Sequence, residues 1–180
     1  ENTFDIPTNG PFSMEVWLYV TYTNPSWGIF IYANPNDDNF QFSHTASGTF
    51  DLRYAGGSAI GTPFTVPIYS WQHIVVTRDS SGWIRQFLNG VLKNYNQKTN
   101  SVLRDFVTFG SRNGGNDYYG YMSDLRWVNG SIPTEYQTTE TTGGVLVFTP
   151  PTAPLTKTSD SRVLLNFTDG AVIDNSGKAN

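Results

Sequence analysis

The chain has 180 residues, enough for one domain with a substantial core. A formal net charge of −4, with 14% charged residues, supplies no basic stripe for a phosphate backbone and argues against nucleic acid as a partner. The apolar runs are strand-sized, which argues against membrane insertion, and 15% aromatics with 17 Gly and 10 Pro point to an all-β protein rich in turns. In chain order, residues 12–20 come first. Phe12, Met14, Val16, Leu18 and Val20 share the face expected in a core, while Ser13, Glu15, Trp17 and Tyr19 share the other. Further strands are expected at 27–32, 40–43, 50–54 and 64–66, punctuated by turn chemistry at Asn34-Pro35 and Gly56-Gly57. Residues 71–92 read as strands joined by Asp79-Ser-Ser-Gly82. A tight turn comes next at Asn89-Gly90, where both central residues need positive φ. Within that run Ile74 and Val76 are expected in the core, against Gln72, Thr77 and Arg78 as polar positions. Strands at 106–110 and 118–128 come after it, and Leu88, Leu125 and Trp127 complete the expected core.

Past Gly130 the chain turns polar and Thr-rich, and residues 148–155 read as a stiff, extended polyproline-like segment. Val163, Leu165 and Phe167 then alternate as a strand. Trp17 and Tyr19 would make a sticky exposed pair, so the 148–155 segment is expected to cross the surface near them. Without cysteine, stability rests on the core, on oligomerisation or on a metal ion.

Three runs carry a family resemblance: the opening strand 12–20; Trp71-Gln-His73 with Thr77-Arg-Asp79 and Asn89-Gly90; and Phe109-Gly110 followed by Gly120, Asp124 and Arg126. In this order they resemble laminin-G-like domains of the concanavalin A-like lectin/glucanase superfamily. The resemblance implies an antiparallel two-sheet jelly-roll sandwich over residues 1–130. Residues 131–180 would form a Pro/Thr-rich wrap-around tail whose final strand completes the sandwich or opens a following module. The tail also resembles those of laminin-G-like modules in bacteriophage and virus-associated surface proteins. That implies an extracellular or virion-surface setting, with a surface glycan or partner subunits of a larger assembly as partners.

The fold hosts lectins, hydrolases and structural modules, so function has to come from residues. A glycosidase needs two carboxylates flanking one bond. Glu15 and Asp51 each stand alone on their strands, and the resemblance, which implies Arg126 on a strand neighbouring that of Glu15, makes Glu15 an ion-pair partner of Arg126. His44 and His73 are too few for a metal cluster, and His73 reads as a half-buried sheet residue. Residues 31–42 resemble the loop that supplies calcium ligands in pentraxins. With residues 112–117 they would provide Asp38, Asn39, Asn116 and Asp117 as oxygen donors. The alternative is that these Asn and Asp residues serve turns. Aromatic and polar residues beside the same loops, Trp27, Tyr32, Asn34, Arg112, Asn113, Tyr118 and Tyr119, form a candidate glycan site, because sugar C–H faces stack on rings. Each aromatic alone reads as rim packing. The reading is a non-enzymatic glycan-binding or adhesion module, with a ligand-free assembly module and a glycoside hydrolase as alternatives.

Overall fold

A computed structural model of the chain describes residues 10–21, 28–33, 40–45, 48–54, 58–100, 107–111, 116–168 and 171–176. The strands are β1 Phe12–Val20, β2 Gly28–Ala33, β3 Phe40–His44, β4 Thr49–Tyr54, β5 Ser58–Ala59, β6 Phe64–Thr65 and β7 Trp71–Arg78. They continue as β8 Trp83–Leu88, β9 Val91–Gln97, β10 Val107–Phe109, β11 Gly120–Asn129, β12 Ser161–Thr168 and β13 Ala171–Asp174. One sheet has seven strands in the order β13-β12-β11-β1-β7-β8-β9; the other runs β10-β2-β3-β4-β5, with β6 paired to β4. Every pairing among named strands is antiparallel. The chain is an all-β antiparallel sandwich, as its composition and the family resemblance imply.

The core lies between the sheets. Met14, Val16, Leu18, Ile74, Val76, Leu88, Leu125 and Trp127 face Ile31, Phe40, Phe42, Phe50, Leu52 and Tyr54 from the other sheet. Phe12 ties the layers at one end, 5.8 Å from Phe40 edge-on and stacked at 6.2 Å on Trp127. The central hairpin forms as its turn residues dictate: Asn89 and Gly90 have φ of 50° and 79°. At the other turn, Asp79 Oδ1 accepts from the Ser81 and Trp83 amides at 2.9 and 3.0 Å. Two polar positions differ from expectation. Gln72 and Arg78 share the inward phase of Ile74 and Val76, and both are buried. Arg78 is tolerated because it donates to the Gly10 and Asn100 carbonyls at 3.0 and 2.9 Å and to the Tyr54 hydroxyl.

Beyond residue 130 the chain crosses the outer face of the seven-stranded sheet as a strap. A short 3-10 helix at Thr134–Tyr136 starts it. Residues 144–147 then bond the start of β9: Leu92 donates to Val145 O at 2.9 Å, and Gly144 to Leu92 O at 2.7 Å. Tyr136, Phe148, Ile132 and Val147 pack against Val75, Phe87 and Leu92, a second apolar cluster separate from the main core. Each large apolar side chain fully buried there contributes roughly 1.5–3 kcal/mol. The strap ends in β12, which pairs with β11, so the tail's strand lies inside the seven-stranded sheet.

Candidate functional site

The outer face of the seven-stranded sheet is built row by row from cross-strand partners. Val75, Glu15 and Arg126 stand side by side on β7, β1 and β11; so do His73, Trp17 and Ser123; so do Trp71, Tyr19 and Tyr121. These rows share a face because of a β-bulge. Two steps of β1, from Glu15 to Trp17, oppose three steps of β11, from Arg126 to Ser123. The extra residue is Asp124, held at φ 49°. Aspartate tolerates the left-handed region better than most residues, and a bulge re-aims the side chains beside it. Asp124 Oδ1 accepts from Asn166 at 2.7 Å and from the Leu155 amide at 3.2 Å, and Oδ2 accepts from the Ser123 hydroxyl at 2.9 Å. Strand, bulge and strap are thereby locked together.

The first row holds a buried ionic hub. Glu15 is 1% exposed, and its Oε1 accepts from Arg126 Nε at 2.6 Å. Its Oε2 lies 3.3 Å from His73 Nε2 and accepts from the Tyr136 hydroxyl. Arg126 also donates to the Thr156 carbonyl at 2.9 Å and to Glu135 at 3.0 Å. Burial disfavours the Arg126 charge, but attraction to Glu15 and bonds to Glu135 and Glu15 outweigh it, so its pKa is raised. Burial, followed by the Glu15 charge, pushes the Tyr136 hydroxyl well above the usual phenol range, which keeps it a donor to Glu15. His73 is wholly buried rather than half-buried, because Trp17, Tyr136 and Phe148 close around its ring at 5.0, 6.2 and 6.2 Å. Glu135, on the strap, is the second carboxylate that strand spacing could not place. Bonded to the same guanidinium as Glu15, it belongs to a strap latch: Glu15 has both oxygens engaged and almost no solvent contact.

The strap covers the Glu15 row and borders the Trp17 row, but stops short of the last. Phe148 caps His73 and Phe87, and residues 151–154 pass beside Trp17, Ser123 and Asp124. Trp71, Tyr19 and Tyr121 remain as an aromatic row. Tyr19 is not crossed by the strap as expected; it packs edge-on between Trp71 at 5.7 Å and Tyr121 at 5.9 Å. Trp71 is 45% and Tyr121 64% exposed. Ile68, Tyr69 and Tyr119 add exposed apolar surface at the same end of the sheet, where Tyr69 N bonds Val20 O and Thr21 N bonds Tyr119 O. Between row and strap lies a cleft of about 410 Å³ lined by Trp17, Trp71, Ser123, Asp124 and the strap edge.

The residues expected from sequence distribute differently. Trp27, Asn34, Asp38, Asn39, Arg112 and Asn113 lie outside the described residues, and Tyr32 is placed by its backbone alone, opposite Thr108 on β10. Tyr118 packs against the main core, 6.2 Å from the His44 ring, and burial raises its hydroxyl pKa. Tyr119 is exposed near the aromatic row. Asn116 has φ 61°, a turn role, and Asp117 is exposed. The two segments invoked for calcium have flanks at opposite ends of the sandwich. Ala33 and Phe40 close one hairpin beside Phe12 and Trp127, whereas Tyr118 and Gly120 sit beside His44 and Val20. The four steps of β3 alone separate these ends by about 13 Å. These positions are those of the flanks; Asp38 and Asn39 themselves lie outside the described residues. Among the described residues, no group of three His, Cys, Asp or Glu is placed to hold a metal. The aromatic row went unread as a site because uniform alternation on β11 puts Tyr121 in the core.

Solved structures share this architecture. A presumed carbohydrate-binding protein from Bacteroides ovatus superposes with a TM-score of 0.64 at 14% identity, over 96% of this chain and 53% of that one. Domain 4 of an extracellular arabinanase from Geobacillus stearothermophilus, solved with arabinotriose, gives 0.54 at 18% identity, over 71% and 64%. The binding domain of botulinum neurotoxin serotype G gives 0.56 at 15%, over 74% and 36%. The chain thus spans less than two thirds of the length of each. No curated protein sequence matches it. No helix of the described residues is long and apolar enough to cross a membrane. A laminin-G-type family profile, described as the concanavalin A-like lectin/glucanases superfamily, matches residues 2–135. With about three quarters of its length matched and the sandwich in place, the chain belongs to the concanavalin A-like lectin/glucanase superfamily.

Proposed function

We propose that the protein binds carbohydrate, on the row Trp71–Tyr19–Tyr121 and in the cleft between that row and the strap. One observation carries this reading: the strap shelters the apolar outer face where it crosses, yet leaves Trp71 and Tyr121 open to solvent on either side of a half-buried Tyr19. An uncovered cluster of aromatics on a stable sheet marks a binding surface. Rings supply apolar faces for sugar C–H groups, and Asp124 and Ser123 supply oxygens for sugar hydroxyls. The solved relatives described as carbohydrate-binding, or seen with arabinotriose, support the choice of ligand class. An extracellular or virion-surface setting belongs to the same proposal.

Hydrolysis is not assigned to Glu15 and Glu135, since Glu15 is sealed beneath the strap. Incubation with laminarin and arabinan should release no reducing ends. A glycan array probed with the protein, with Trp71→Ala and with Tyr121→Ala, tests the site. Each substitution should abolish the signal while the melting temperature stays within a few degrees of the parent. Array binding that survives both substitutions would place the ligand elsewhere.

A further inference from the structure

The geometry of the aromatic row constrains the shape of its ligand, provided that the ligand is a carbohydrate as proposed. We infer that it is a single polysaccharide chain whose sugar units turn about the chain axis, as opposed to the flat face of a crystalline polysaccharide or a lone terminal sugar.

The row crosses three neighbouring strands, β7, β1 and β11, with one ring on each. Its ring centroids are 5.7 and 5.9 Å apart. That step is close to the spacing of strands, about 4.8 Å, and a pyranose in an extended chain advances by a similar distance. An occupant lying across the strands therefore meets one ring per sugar. The rings are not coplanar. Trp71 and Tyr19 are inclined by 64°, and Tyr19 and Tyr121 by 62°. A crystalline polysaccharide presents all its sugar faces in one plane and can stack on only part of such a row. A free chain can rotate successive units to meet successive faces. The twist of the sheet adds to the turn between neighbouring strands.

The cleft defines the flank. Trp17 and Trp71 line it, and the 151–154 edge of the strap runs along it as a rail. Asp124 faces this cleft, and with Oδ1 taken by Asn166 and the Leu155 amide, a carboxylate with about four acceptor positions can take one further hydroxyl donor beside the Ser123 hydroxyl on Oδ2. The row continues out of the cleft onto open sheet, where Tyr121 is 64% exposed. A site for a terminal sugar would instead end in a closed pit.

The test uses the intact chain in native affinity gels containing arabinan, xylan or mixed-linkage β-glucan, beside depletion onto microcrystalline cellulose and chitin. Retardation is expected in at least one soluble polysaccharide, with no depletion onto the crystalline solids. Oligosaccharides of the retarding polymer should bind about tenfold more tightly as tetrasaccharide than as disaccharide. Tyr121→Ala should erase that gain with an unchanged melt. Three outcomes would overturn the inference: depletion onto the crystalline solids, affinity already complete at the monosaccharide, or a length gain indifferent to Tyr121. Binding to nothing in the panel would defeat the carbohydrate reading itself, and the single-chain ligand with it.

Discussion

Substituting Arg126 by Met probes the latch between sheet and strap most directly. The side chain is 4% exposed and makes four contacts: two nitrogens on Glu15 Oε1 at 2.5 and 2.6 Å, the Thr156 carbonyl at 2.9 Å and Glu135 at 3.0 Å. Methionine fills much of the volume but removes every donor. The Glu135 contact adds little, because that carboxylate is 53% exposed and solvent screens it. The cost comes from Glu15, left buried with its charge facing only His73 and Tyr136. Breaking a buried ion pair in this way costs about 3–5 kcal/mol. At this chain length, each kcal/mol moves the melting temperature by about 2–4 °C, so a fall of roughly 6–20 °C is expected. Urea unfolding followed by tryptophan fluorescence measures the free energy, and calorimetry measures the melt. Glu15→Gln/Arg126→Met should recover much of the loss, because the uncompensated charge is gone. A cost under about 1 kcal/mol for Arg126→Met, or strict additivity in the double variant, would refute the latch.

Gly90→Ala should loosen the strap from the hairpin, because a Cβ there would lie 1.8 Å from the Phe148 carbonyl oxygen at a φ of 79°. The backbone strain alone is on the order of 1–3 kcal/mol, and limited proteolysis should then cut within residues 137–155. His44 gives a pH dependence. Burial holds its imidazole pKa below the usual 6.5, so the unfolded chain binds the extra proton first. Stability should be fully present above about 6.5 and fall as pH drops below it, and His44→Phe should flatten that slope in urea midpoints. Calcium at millimolar concentration should leave the melting temperature unchanged, since the flanks of the two candidate loops lie at opposite ends. A rise abolished by Asp117→Ala would overturn that expectation.

The strands and the central hairpin are legible in the sequence because their signals are local, and the resemblance supplies their arrangement as a sandwich. Period-two alternation in β1 fixes which side chains meet the core, and Asn89-Gly90 and Asp79-Ser-Ser-Gly82 set the central hairpin. The Glu15–Arg126 pair is also legible, through the family resemblance that implies their two strands are neighbours. What could not be read is long-range. Glu135 reaches the hub from the strap, far along the sequence from Glu15, and no spacing rule predicts where an extended segment will cross a sheet. The calcium set depends on long-range placement in the same way. Loop composition shows which residues can ligate, but antiparallel pairing decides at which end of the sandwich each loop emerges.

The aromatic row was hidden by one residue. Strict alternation over residues 118–128 puts Tyr121 and Ser123 on the same face as Leu125 and Trp127, which would bury them. The conflict is visible in the apolar positions themselves. Met122 packs against the same core as Leu125 and Trp127, yet an even and two odd positions cannot share one face of an uninterrupted strand. An extra residue between 122 and 125 resolves this, and Asp124 is the one whose side chain best tolerates positive φ. That single shift turns Tyr121 outward beside Tyr19 and Trp71, and it aims the Asp124 carboxylate into the adjoining cleft. The same bulge therefore does two things: its carboxylate bonds Asn166 and the Leu155 amide, which holds the strap, and its extra residue sets Tyr121 in the row proposed to bind a ligand.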